Sequence, residues 1–173
     1  MRIVRYAAAA AVMAGVVCGS WFMGGRRTES RLVAAAQPVS VSTPLGVKSD
    51  VVLPDGSRVR LNGGTRIVYP ALFGDERRVE VDGEAYFEVE HDRRAPFVVS
   101  TNGLDIEVLG TRFNIRNDDN EHRVTTVLLE GAVKAYASGR EQASVRLHPA
   151  QQLVFDTRTH AMRLTDCPSA ERS

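Results

Sequence analysis

Five carboxylates, one histidine and two arginines fall within the eighteen residues from Asp82 to Val99, "DGEAYFEVEHDRRAPFVV". A carboxylate beside an imidazole can relay protons, so these residue types admit acid–base chemistry. Their spacing points elsewhere. Glu84, Tyr86, Glu88 and Glu90 alternate with Ala85, Phe87 and Val89, and successive side chains on a strand point to opposite faces. The acids therefore share one face and the small or apolar residues share the other, the pattern of a half-buried strand. His91-Asp92-Arg93-Arg94-Ala95-Pro96 breaks the alternation before the apolar run Phe97-Val98-Val99. His91 is thus expected in the turn of a long hairpin, with the carboxylates on a solvated sheet face.

The remaining candidates for chemistry are sparse. His91, His122, His148 and His160 sit in polar or turn contexts, and no two stand at ligand spacing. Gly63-Gly64 follows Asn62 and opens no helix, so it reads as a turn and not as a phosphate cradle. Asn117-Asp118-Asp119-Asn120 lacks the spaced acids and terminal glutamate of a calcium loop and reads as solvated loop. No serine or cysteine lies in a nucleophile-elbow sequence. A glycan hydrolase needs a carboxylate pair in a cleft. The single tryptophan, Trp21, lies in the N-terminal apolar segment, which leaves the body without indole platforms. The sequence assigns no catalytic, cofactor-binding or metal-ligating residue, expects no cofactor, and singles out no partner-binding residue.

The net charge of +1 hides a split. Arg2, Arg5, Arg26 and Arg27 flank the N-terminal apolar segment; the other 18 of the 22 basic residues stand against 21 acids, which makes the body about −3. That is not the basic stripe of a nucleic-acid binder. From Tyr6 to Gly25 the chain carries no formal charge. At a helical rise of about 1.5 Å per residue, those twenty residues span roughly the thickness of a bilayer core. Tyr6, Trp21 and Phe22 lie near the ends, where aromatic rings favour the interface. The competing signal-peptide reading has its nearest small-residue cleavage site at Ala34-Ala35-Ala36, too far from the apolar run for usual processing. Residues 6–25 are therefore expected to be an uncleaved transmembrane anchor. Arginines on both sides leave its orientation open. Cys18 in this segment and Cys167 near the C-terminus lie on different levels, and no disulfide between them is expected.

Residues 26–46, small, polar and proline-bearing, read as a tether. From Val47 to about residue 165 the pattern is β. Val51 and Leu53 lead into Pro54-Asp55-Gly56; Val59 and Leu61 precede Asn62-Gly63-Gly64; Val79 and Val81 precede Asp82-Gly83; Leu104, Ile106 and Val108 follow Asn102-Gly103. Further strands flank Glu130-Gly131 and end near Leu147, Phe155 and Leu164, whereas the run from Asn117 to His122 reads as a loop. About ten short strands without helical periodicity make an all-β domain, with an antiparallel sandwich, a barrel and a solenoid left open. Residues 166–173 form a tail.

Five phrases resemble the FecR-type periplasmic sensor and anti-sigma factor family, in that family's order across roughly residues 41–157. They are Leu53-Pro54-Asp55-Gly56-Ser57, Gly83-Glu84-Ala85-Tyr86-Phe87-Glu88-Val89, Pro96-Phe97-Val98-Val99, Leu109-Gly110-Thr111-Arg112-Phe113-Asn114 and Leu129-Glu130-Gly131. The resemblance implies a two-layered, β-helix-like periplasmic domain. It also implies a single-pass bacterial inner-membrane regulator that relays the state of a TonB-dependent transporter to an extracytoplasmic-function sigma factor. Its implied partners are that transporter's signalling domain and the sigma factor system, not an enzyme substrate. Family members carry a sigma-binding domain before the span and a further domain after the β domain. Here only a stub, residues 1–5, precedes the span, so the expectation is a truncated module. The alternative is a stand-alone periplasmic binding or scaffolding domain without sigma regulation.

Overall fold

The computed structural model describes residues 37–167. The stub, the anchor expected over residues 6–25, Cys18 and the tail beyond Cys167 lie outside the described residues. Among the described residues no helix is long and apolar enough to cross a membrane, and the only helical element is a 3-10 turn, Glu141–Ala143.

The chain alternates between two seven-stranded sheets. It opens with β1 (Pro38–Ser42) in sheet A and the pair β2 (Ser49–Val52) and β3 (Arg58–Leu61) in sheet B. It returns to sheet A with β4 (Arg66–Pro70) and β5 (Arg77–Asp82), then gives β6 (Glu84–Glu88) to sheet B. Next come β7 (Phe97–Thr101) and β8 (Leu104–Val108) in sheet A, then β9 (Arg112–Asp118) and β10 (Arg123–Glu130) in sheet B. The last two pairs are β11 (Val133–Ala137) and β12 (Val145–Leu147) in sheet A, and β13 (Gln151–Asp156) and β14 (Met162–Asp166) in sheet B. Sheet A therefore reads β1-β4-β5-β7-β8-β11-β12 and sheet B reads β2-β3-β6-β9-β10-β13-β14. Strands enter each sheet in chain order, so each excursion lies beside the previous one, in the manner of a two-layered helix. Every pair is antiparallel except β5 with β7, which a single strand in the other sheet separates.

Alternation places the core. Val59, Leu61, Ala85, Phe87, Phe113 and Ile115 face inward from sheet B; Ile67, Val79, Phe97, Val99, Leu104 and Ile106 meet them from sheet A, and all are at most 1% exposed. Phe87 and Phe113 are register partners whose rings stack at 5.0 Å. Phe97 crosses from the opposite sheet to meet Phe87 edge-on at 6.2 Å. Aromatic contacts of this kind add to the area they bury.

Three expectations change. The stretch from Asp82 to Val99 is not a hairpin: β6 pairs with β3 and β9, whereas β7 pairs with β5 and β8. Residues 89–96 cross from one sheet to the other, and His91 sits in that crossing. Alternation reports a half-buried strand but not its partner, which is why the hairpin looked natural. Pro38–Ser42, assigned to the tether, is a strand: Val39 and Val41 alternate with Ser40 and Ser42 and pair with Tyr69 and Ile67 of β4. Asn117 and Asp118, read as loop, complete β9.

Candidate functional site

Of the five carboxylates between Asp82 and Val99, Glu84 and Glu88 lie on the outer face of sheet B, and arginines answer them. Arg58, Glu88, Arg112 and Glu130 form one row across β3, β6, β9 and β10, closed at its end by Arg112 Nη1 donating to Glu130 Oε2 at 2.9 Å. Glu84 stands opposite Arg116 and accepts from Asn62 Nδ2 at 3.1 Å. Tyr86 lies between Arg60 and Asn114 in the next row; burial first, and then the Glu88 charge, raise its phenol above the ordinary value. Four residues along a strand put Glu84 and Glu88 about 13 Å apart at about 3.3 Å each. Glycosidic cleavage uses carboxyl groups roughly 5–9.5 Å apart. The row is a ladder of opposite charges and not a catalytic pair.

Behind the ladder lies a buried clasp that the sequence reading passed over. Arg77 opens β5 on the same face as Val79 and Val81, so its guanidinium points into the core, with its side chain 4% exposed. Nη1 donates to Asp55 Oδ2 at 2.8 Å and to the Glu90 carbonyl at 2.9 Å, and Nε donates to the Ala95 carbonyl at 2.9 Å. The guanidinium carbon sits 5.4 Å from the Phe97 ring centre, within cation–π range. Asp55 is in turn held by Ser57, whose backbone N–H and hydroxyl both donate to it; the Ser57 oxygen accepts the Glu90 N–H at 3.0 Å. One cation thus ties the β2–β3 turn to both ends of the β6–β7 crossing.

The same end of the sandwich stacks its sheet crossings tightly. Val89 and Asp92 donate backbone N–H groups to the carbonyls of Thr111 and Leu109, and Thr111 Oγ1 donates to the Ala132 carbonyl at 3.0 Å. A Cβ on Gly110 would stand 2.5 Å from His91 Nδ1 and 2.8 Å from His91 Cα; one on Gly131 would stand 2.8 Å from the Gly110 carbonyl oxygen. Both positions need glycine because the neighbouring crossing occupies the space.

Beside this stack a cleft of about 470 Å³ opens towards sheet A. Val108, Leu109, Ala132 and Leu147 contribute apolar wall, whereas Arg93, Lys134 and Arg146 bring positive charge against one acid, Glu107. Lys134 Nζ contacts both Glu141 and Glu107, which hold its ammonium above the ordinary range, Glu141 first. Arg93 and Arg146 are exposed and have no ion-pair partner among the described residues.

The family model described as FecR protein matches residues 39–134, which run from β1 into β11. The chain belongs to the FecR family. Two crystal structures of a proposed anti-sigma factor from Parabacteroides distasonis are similar to it. The one at 2.50 Å resolution shares 31% identity with a TM-score of 0.70, covering 76% of this chain and 61% of its own. The one at 1.65 Å shares 32% identity with a TM-score of 0.69, covering 75% and 60%. The chain thus spans about three-fifths of the length of the structures it matches. No curated protein matches it.

The family's sequence signatures turn out to be the joints of the fold. Leu53-Pro54-Asp55-Gly56-Ser57 supplies the clasp's acceptor, Leu109-Gly110-Thr111 and Glu130-Gly131 supply the stacked crossings, and Glu84 to Val89 supplies β6 with its charge ladder. Of the four histidines, the structure brings His91 and His148 to the cleft. His122 lies in the β9–β10 turn, and His160 stacks on Phe155 at 5.9 Å. Asn102 Nδ2 donates hydrogen bonds to Asn117 and Asp119, and Asn117 Nδ2 donates to Asp82 and Asp119. Among the described residues no three His, Cys, Asp or Glu side chains gather as a metal set. Gly63 donates its backbone N–H to Asn62 Oδ1 at 3.0 Å and, with Gly64 at φ 79°, closes the β3–β4 turn. The FecR family is a regulatory, non-enzymatic kind of protein.

Proposed function

We propose that this chain is a membrane-anchored signalling module of FecR type. Its β domain stands in the periplasm of a bacterium and relays the state of a TonB-dependent transporter to an extracytoplasmic-function sigma factor system. The observation that carries the reading is the FecR match across residues 39–134, supported by the fold shared with a proposed anti-sigma factor. The uncharged run of residues 6–25 supplies the anchor in this reading. Signalling then needs a partner whose affinity differs between two states of the module, since a ligand shifts an equilibrium only by its differential affinity.

Deleting the gene in its own cell and profiling transcripts tests the relay. Several-fold changes in transcripts for a TonB-dependent transporter are expected; unchanged transporter transcripts under every inducing condition would refute the sigma reading and leave a binding or scaffolding domain. Alkaline carbonate extraction tests the anchor: the chain should stay with the membrane pellet, and full-length chain in the soluble fraction would refute that part alone.

A further inference from the structure

Beside the stacked crossings, the cleft holds a pair of like charges set directly opposite each other in strand register. On sheet B, acids stand opposite bases along whole rows. On sheet A, Arg66 faces Asp82 and Lys134 faces Glu107. At the far edge of sheet A the pattern fails: Lys134 and Arg146 are direct register partners on β11 and β12. Like charges directly opposite one another weaken a strand pair. Local conflicts of this kind mark places where a sequence serves something besides its fold. Lys134 is neutralised by Glu107 and Glu141. Arg146 is not, and Arg93, arriving from the β6–β7 crossing, is not.

We infer that this cleft binds an acidic peptide segment of a partner protein that also carries leucine-type side chains. Each part of that occupant follows from the site. Two unpaired guanidiniums call for carboxylates, which they can hold with paired, charge-assisted hydrogen bonds. Leu109, 41% exposed, is a large apolar side chain standing open at the cleft, and an apolar side chain of the visitor would cover it. Among the described residues β12 pairs with β11 alone, so its outer edge offers backbone donors and acceptors to an extended segment. A volume of about 470 Å³ lies within the range of ligand clefts, roughly 300–1,000 Å³. A nucleic acid fits poorly, because the body around the cleft is net acidic. The inference does not depend on the sigma-factor reading, since any acidic partner segment would satisfy it.

The test is fluorescence anisotropy with the full chain in non-ionic detergent and a labelled six-residue peptide of alternating glutamate and leucine. A matching peptide with glutamine for glutamate serves as the control. The glutamate peptide should bind, and the glutamine peptide should bind at least about tenfold more weakly. The double variant Arg93→Glu with Arg146→Glu should lose at least about tenfold in affinity, and binding should weaken as salt rises. Both arginines are exposed and unpaired, and Arg146→Glu replaces a like-charge pair with Lys134 by an opposite one, so the variant should melt no lower than the parent chain. Absence of binding, equal binding of the two peptides, or an unchanged double variant would each overturn the inference. Complete displacement by an equal concentration of inorganic phosphate would overturn it too, by showing a small-anion site in place of a peptide cleft.

Discussion

Replacing Arg77 by methionine tests whether the buried clasp holds the two sheets in register. Methionine keeps most of the apolar stem but removes the charge and all donors. Three acceptors lose their partner at once: Asp55 Oδ2, the Glu90 carbonyl and the Ala95 carbonyl. The Asp55 side chain is only 12% exposed, so its carboxylate keeps the Ser57 bonds but has no counter-charge. Breaking one side of a buried ion pair typically costs about 3–5 kcal/mol, out of a total stability of roughly 5–15 kcal/mol for a domain. Arg77→Met should therefore shift the urea midpoint, followed by far-ultraviolet circular dichroism, by roughly a fifth or more of its value. Asp55→Asn in the same background should cost less than it does alone, because groups in contact couple by about 0.5–3 kcal/mol. A loss below about 1 kcal/mol for Arg77→Met, or strictly additive effects, would refute the clasp and make the pair an incidental contact.

The other expectations concern single joints. Phe87→Ala should cost about 3–5 kcal/mol, because the ring is fully buried and packs on Phe113 and Phe97; Glu88→Ala, on the charge ladder, should cost under about 1 kcal/mol, and equal denaturant shifts would put β6 in the wrong register. Gly110→Ala should lose about 1–3 kcal/mol by overpacking, since the new methyl group would meet His91 backbone at 2.8 Å; a variant with the parent melting temperature would show that the crossings are not stacked. Asp156 is held below its usual 3.8 by the backbone N–H of Thr159 first, then the Thr159 hydroxyl and the Arg158 N–H. A lowered folded-state value means that its contribution is present above about 3.8 and lost as the pH falls through the folded value. Asp156→Asn should thus lower the melting temperature at neutral pH and leave it unchanged in strong acid; a constant difference across that window would rule out the ionised turn.

The faces of the strands were legible in the residues, and their neighbours were not. Period-two alternation placed Phe87 inside and Glu88 outside, and it placed Val79, Val81, Leu104 and Ile106 inside as well. The same parity in Arg77-Arg78-Val79-Glu80-Val81 puts Arg77 on the buried face, but a charged residue beginning a strand was easily taken as solvated. Pairing depends on partners distant in the chain, so nothing local distinguished a β6–β7 hairpin from a crossing between sheets. The carbonyls of Glu90 and Ala95, bound to Arg77, fix that crossing, and only the folded chain brings them together. β1 was hidden by its own composition: serine and proline lower β-propensity on average, while Val39 and Val41 still find Tyr69 and Ile67. The cleft was out of reach for a similar reason, since Arg93 and Arg146 meet only after several excursions between the sheets.

The order in which strands join the sheets has a consequence for how such a chain comes into being. From β3 onward each new strand finds a neighbour at most three strands back in the chain. A chain delivered from its N-terminus can add one layer after another, each growing on a finished template. Energetically such an array approaches a one-dimensional stack, with stability set by each layer and by its contacts with the adjacent ones. Tension applied between the two ends would then strip layers in sequence and not break all of them together. A chain pulled at both ends would yield by steps, each exposing a fresh sheet edge.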